Sequence, residues 1–131
     1  MAHLLDTSVA VHLRDRNDSV LTLLAGLAQR PALSVVTLVE LEGGIHAQPD
    51  LSEMRRIRVA AMVGQMEVLP FDESCVAAYG TIVEASGFSR RKVIDRMIAA
   101  TALVHGLRMI TLNGADFADV PGLDLEVWPT S

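Results

Sequence analysis

The chain has 131 residues, half of them hydrophobic and 21% charged, with a net charge of −5 at neutral pH. That length and composition suit one domain spanning 1–131 with a sizeable core, and exclude a disordered or fibrous chain. The acidic balance has the wrong sign for a protein that coats nucleic acid by bulk attraction, although local basic clusters can still bind a polyanion, and no apolar run approaches the ~18 residues of a membrane span.

In chain order, Met1–Asp6 does not read as a signal peptide, and the apolar run Leu4-Leu5 ends at Asp6-Thr7-Ser8, where Thr7 or Ser8 is placed to cap a helix. Asp18 and Ser19 introduce a helix with Val20, Leu23, Leu24 and Leu27 on one face, running to about Gln29 before Pro31. Ala32–Val35 reads as a short buried strand, and a helix begins at Thr37 and stops near Pro49. The next helix, Leu51–Gly64, carries Met54, Ile57, Ala61 and Met62 at helical spacing. Val68-Leu69 is a short strand, and Asp72 caps a helix over Glu73–Ser86 that ends at Gly87. A basic loop leads to the most apolar helix, Val93–His105, stopped by Gly106. Met109–Thr111 is a strand, and Leu123, Leu125 and Val127 mark an edge strand. Alternating strands and helices imply an α/β fold: a central, mainly parallel sheet of about five short strands between helices on both faces.

Four acids carry the chemistry: Asp6, Glu40, Asp95 and Asp116. Each lies where a strand gives way to a loop or early in a helix, positions that such a fold gathers beyond the carboxyl ends of its strands. Singly, each has an ordinary reading. Asp6 and Asp116 suit turn or cap residues, Glu40 could close a capping box with Thr37, and Asp95 could pair with Arg91. Gathered, they repel one another unless a divalent cation holds them, so the set predicts a Mg²⁺ site with Mn²⁺ as a possible substitute. His3, His12, His46 and His105 have no zinc spacing, and no phosphate-binding loop or nucleophile elbow is present. The single Cys75 cannot form an internal disulfide, reads as core, and fits a reducing cytoplasm.

Taken jointly, these residues resemble the PIN-domain family, in particular the VapC-type toxins of prokaryotic toxin–antitoxin pairs. The resemblance rests on Leu5-Asp6-Thr7-Ser8-Val9, on Ser34 to Leu41 with Gly44, on Asp95 to Leu103 followed by Gly106-Leu107, and on Thr111 to Phe117 followed by Pro121-Gly122-Leu123 and Trp128. It implies a three-layer PIN-like fold and a Mg²⁺-dependent endoribonuclease that hydrolyses RNA phosphodiester bonds with metal-activated water. Asp6 and Asp95 would be the chief ligands and Glu40 a further one. The fourth acid is assigned to Asp116, because Asn113 stands in the other family position; Thr7 and Asn113 would give polar support. The resemblance also implies a VapB-type antitoxin, with its tail across the helices near Arg14 and Leu51–Ala61, and a homodimer.

Arg90, Arg91 and Lys92 precede the helix of Asp95 and read either as a solvated loop or as an RNA-backbone clamp. The competing class is a catalytically silent PIN-like module acting by RNA or partner binding. Retention of all four acids argues for the enzyme.

Overall fold

The computed structural model describes residues 2–129. Five short strands form one sheet: β1 (His3–Leu5), β2 (Ala32–Ser34), β3 (Val68–Leu69), β4 (Arg108–Thr111) and β5 (Leu125–Val127). Six helices connect them: α1 (Thr7–Arg14), α2 (Asp18–Ala25), α3 (Val35–Ala47), α4 (Ser52–Gln65), α5 (Glu73–Ser86) and α6 (Val93–His105). The strand order is β3-β2-β1-β4-β5. All four neighbouring pairs are parallel, with Leu5 beside Leu33 on one side and Ile110 on the other.

Successive strand residues point to opposite faces, so each strand feeds two cores. Leu4, Ala32 and Met109 join Ile82 of α5 and Ile98–Ala100 of α6 on one face. Leu5, Leu33 and Ile110 join Val9 of α1, Val20 of α2 and Met62 of α4 on the other. Helix α3 serves both cores, giving Val36 to the first and Leu41 and Ile45 to the second. Three-residue strands hold because both faces are covered and helices supply most of the buried surface.

Three local expectations are corrected. Asp6, rather than Thr7 or Ser8, caps α1, its Oδ1 accepting from Val9 N. Ser34 ends β2 and caps α3 by accepting from Val36 N at 3.0 Å, so the helix starts two residues before Thr37 and the Thr37–Glu40 capping box does not form. Helix α2 stops at Ala25 rather than near Gln29, where Gly26 N bonds to the Leu23 carbonyl and Leu27 N to the Leu24 carbonyl. On α4 the buried positions are Val59 and Met62, while Met54, Ile57 and Ala61 face outward. Helix α5 and helix α6 have the expected bounds, the latter closed by Gly106 at φ +64°, a left-handed conformation that glycine adopts without a Cβ clash.

Candidate active site

Strand order reverses between β1 and β4, and parallel sheets bind their ligands in the crevice expected at such a switch point, beyond the carboxyl ends of the strands. Asp6 follows β1 directly and is held by hydrogen bonds from every side. Oδ1 accepts from Ser8 Oγ at 2.6 Å and from Val9 N at 3.0 Å, and Oδ2 accepts from Thr111 Oγ1 at 2.5 Å. Burial pushes the Asp6 carboxyl above its ordinary value, and the bonds from Ser8, Thr111 and Val9 pull back against that rise.

Glu40 lies in the second turn of α3 with its carboxylate at the surface. Thr7 Oγ1 donates to Glu40 Oε1 at 2.5 Å and lies 3.1 Å from Thr37 Oγ1. Since Thr7 has one hydroxyl hydrogen, and Glu40 takes it, the buried Thr37 hydroxyl is the donor in the second bond. A chain Thr37–Thr7–Glu40 thus ties α3 to the start of α1.

Asp95 sits in the first turn of α6, half-buried, with no ion-pair partner among the described residues; the Arg91 pairing does not form. Its carboxyl is pushed up to about 6, first by burial and then by the charges of Asp116, Asp6 and Glu40, against a weaker opposing pull from Lys92. Asp116 stands on the 3-10 turn Gly114–Phe117, anchored by the buried Phe117 ring. Asn113 opens that turn, its N–H bonded to Thr111 Oγ1 and its carbonyl accepting from Asp116 N. All four acids are therefore electrostatically coupled through Asp95.

This donor set suits a hard cation. It presents carboxylate oxygens from four elements, and among the described residues no cation forms an ion pair with the half-buried Asp95. Among the described residues no three His, Cys, Asp or Glu side chains enclose a common point.

Of the basic loop, Lys92 Nζ is committed to Asp119 Oδ2 at 2.9 Å, whereas Arg90 and Arg91 are exposed on a 3-10 turn. Arg96 is almost fully buried and donates to the same Asp119 oxygen at 2.9 Å and to the Gly87 carbonyl at 2.6 Å. Cys75 is buried in a core position, and burial raises its thiol. Ser8, Thr37, Thr111 and Asp119 were missed by the sequence reading. Thr111, ending its strand opposite Asp6, carried a signal in its position; Asp119 carried none, since its partners lie 23 and 27 residues away.

The PIN domain family profile matches residues 3–123. Ribonuclease VapC2 of Rickettsia felis is 28% identical over 134 residues, covering 98% of both chains. The tRNA(fMet)-specific endonuclease VapC of Salmonella typhimurium is 31% identical over 102 residues, covering 76% of each. Among solved structures, VapBC2 from Rickettsia felis bound to a DNA fragment from its promoter superposes with a TM-score of 0.82 at 25% identity, covering 98% of this chain and 99% of that one. The chain belongs to the PIN-domain family, within its VapC-type ribonucleases.

Proposed function

We propose that this protein is the toxin of a VapBC-type pair, a single PIN domain over residues 1–131 that cleaves RNA internally at the carboxylate crevice. PIN-domain ribonucleases depend on a divalent metal, and Mg²⁺ is the ion assigned here, with Mn²⁺ able to replace it. The observation that carries the reading is Asp95, half-buried and crowded by Asp116, Asp6 and Glu40 with no cation paired to it. Such crowding raises the energy of the metal-free site and favours whatever brings positive charge into it.

Asp6 and Asp95 are the chief ligands in this assignment, with Glu40 and Asp116 completing the set. When bound, the cation neutralises charge on the scissile phosphate and makes water acidic enough to attack at neutral pH. The side chains then divide the work. Asp6 is fixed by three hydrogen bonds and orients the site. Glu40, steadied by Thr7 yet open to solvent, takes the proton of the attacking water. Asp116, on an exposed turn, is the alternative acceptor, and Asn113 beside it can donate to a phosphate oxygen. Arg90 and Arg91 bind the RNA backbone next to the crevice; Lys92, held by Asp119, steadies their turn.

The VapB-type antitoxin is assigned to a groove between the C-terminal end of α1, α2 and α4. That cavity, about 320 Å³, has apolar walls from Leu13, Leu21 and Met62 and cations from Arg14, Arg16 and Arg58. Arg58 braces the wall by donating to the Arg14 carbonyl at 3.2 Å. A tail with apolar and acidic residues suits it. The protein is taken to be a cytoplasmic homodimer. No helix among the described residues is long and apolar enough to cross a membrane.

Cleavage of total cellular RNA by antitoxin-free protein tests the reading, with Mg²⁺ or EDTA and beside Asp6→Asn. Discrete fragments requiring both the metal and Asp6 are expected. Equal cleavage by Asp6→Asn, or none by the folded, Mg²⁺-loaded protein, overturns it.

A further inference from the structure

We propose that Phe88 is a stacking platform for an unpaired RNA base, flanked by Arg90 and Arg91 as phosphate contacts; this rests on the ribonuclease reading above and adds how substrate is chosen. The chain has five aromatic residues. Phe117 and Trp128 are buried, and Phe71 and Tyr79 pack against the core. Phe88 alone is turned outward, 69% exposed, above every other large apolar side chain described.

The backbone beneath that ring is fixed. Gly87, at φ +83°, donates its N–H to Val83 O, and its carbonyl accepts from the buried Arg96. Ser86 Oγ bonds to the Asp119 carbonyl, and Lys92 N bonds to Ser89 O on the other side. Phe88 thus projects from a turn clamped before and after it. A rigid ring already in place loses little conformational freedom when a flat partner covers it.

The neighbouring charge selects the partner. Lys92 and Arg96 share the single carboxylate of Asp119, while Arg90 and Arg91 are exposed with no ion-pair partner among the described residues. An apolar ring beside two free guanidinium groups, on a chain of net charge −5, suits a polyanion with flat faces. The extended, 3-10 and helical residues between Phe88 and Asp95 limit the two Cα atoms to about 16 Å apart, a span of a few nucleotides. Stacking needs a base freed from its pair and tolerates any base identity, so Phe88 would favour single-stranded segments over duplex without reading sequence.

The test is binding of single-stranded RNA oligonucleotides, each carrying 2-aminopurine at one position, to the full chain in EDTA. Wild type should quench the fluorophore at one position. Phe88→Ala should lose the quench and weaken binding by about 10-fold, while Phe88→Trp keeps both. The same sequence in a perfect duplex should bind wild type and Phe88→Ala alike. Unchanged quench and affinity in Phe88→Ala overturns the platform. So does a shift of Phe88→Ala from dimer to monomer in sedimentation, which would make the ring a contact between copies. Cleavage by wild type in Mg²⁺, read alongside, separates the two ideas: cleavage with Phe88-indifferent binding sinks the platform alone, and absence of both binding and cleavage sinks both.

Discussion

Thr111, the last residue of β4, donates its hydroxyl hydrogen to Oδ2 of Asp6, 105 positions earlier in the chain, at 2.5 Å. The same hydroxyl oxygen accepts from Asn113 N. One buried side chain therefore fixes a site carboxylate and starts the turn that carries Asp116.

Thr111→Val keeps the shape and removes both bonds. It leaves a buried Asp6 oxygen and a backbone N–H without their partner, which should cost about 1–3 kcal/mol at pH 7.5. It also removes a bond that holds the Asp6 carboxyl down, so the acid limb of activity should move to higher pH. Thr111→Ser should recover most of both. Urea midpoints and a pH–rate profile check this; a Val variant as stable and as active as wild type would contradict it.

Asp95 makes the metal-free protein less stable at neutral pH. Its folded carboxyl value, about 6, lies above the ordinary 3.8. The associated stability is therefore full below about 3.8 and is lost as pH rises through about 6. Metal-free Asp95→Asn should be more stable than wild type at pH 7.5 by about 1–2 kcal/mol, allowing for solvent screening of a half-exposed group, and about 3–8 °C in Tm. The advantage should vanish by pH 4. Asp6, also raised, gives the variant a residual slope of the same sign. Asp72, Asp119 and Glu126 are lowered and act oppositely, losing stability at still lower pH. Thermal melts in EDTA from pH 4 to 8 decide the matter.

In the proposed site, metal and proton would compete for the same oxygens. Mg²⁺ should raise the wild-type Tm at pH 7.5, by about 2.7 kcal/mol of stability at a hundredfold excess over its Kd, and the rise should fade as pH drops through 6. Asp95→Asn and Asp6→Asn should both abolish it. A Mg²⁺ response that survives in Asp95→Asn would place the ion elsewhere.

Much of this was legible in the sequence, for identifiable reasons. Helices α5 and α6 were bounded correctly because Asp72, Gly87 and Gly106 mark their ends with local chemistry. Asp6 and Asp116 could be located because a parallel sheet puts strand exits on one edge. Helix α3 began early because Ser34 both ends β2 and caps the helix, a dual use that no spacing reveals. Helical spacing on α4 does not separate core from surface: Met62 is buried, whereas Met54, Ile57 and Ala61 line an outer surface. The Thr37–Thr7–Glu40 chain and the Asp119 hub join residues distant in sequence, and only the fold brings them together.

Asp119 supplies the last prediction. Its Oδ2 receives both Lys92 and Arg96, and its backbone carbonyl receives Ser86 Oγ, so it ties the end of α5 and the start of α6 to the segment following Asp116. Arg96 is 2% exposed, and Asp119→Ala would leave that guanidinium buried without a counter-charge. The cost should be about 2–4 kcal/mol, at the lower end because Asp119 itself is partly exposed. Arg96→Met removes the buried charge instead, and the double variant should lose less than the sum of the two singles, a coupling of about 1–2 kcal/mol. If Asp119 also sets the spacing of Asp95 and Asp116, Asp119→Ala should lower kcat for RNA cleavage at a temperature where it remains folded, with KM little changed. Additive losses in urea would show that the pair is not coupled, and an unchanged kcat would confine Asp119 to stability.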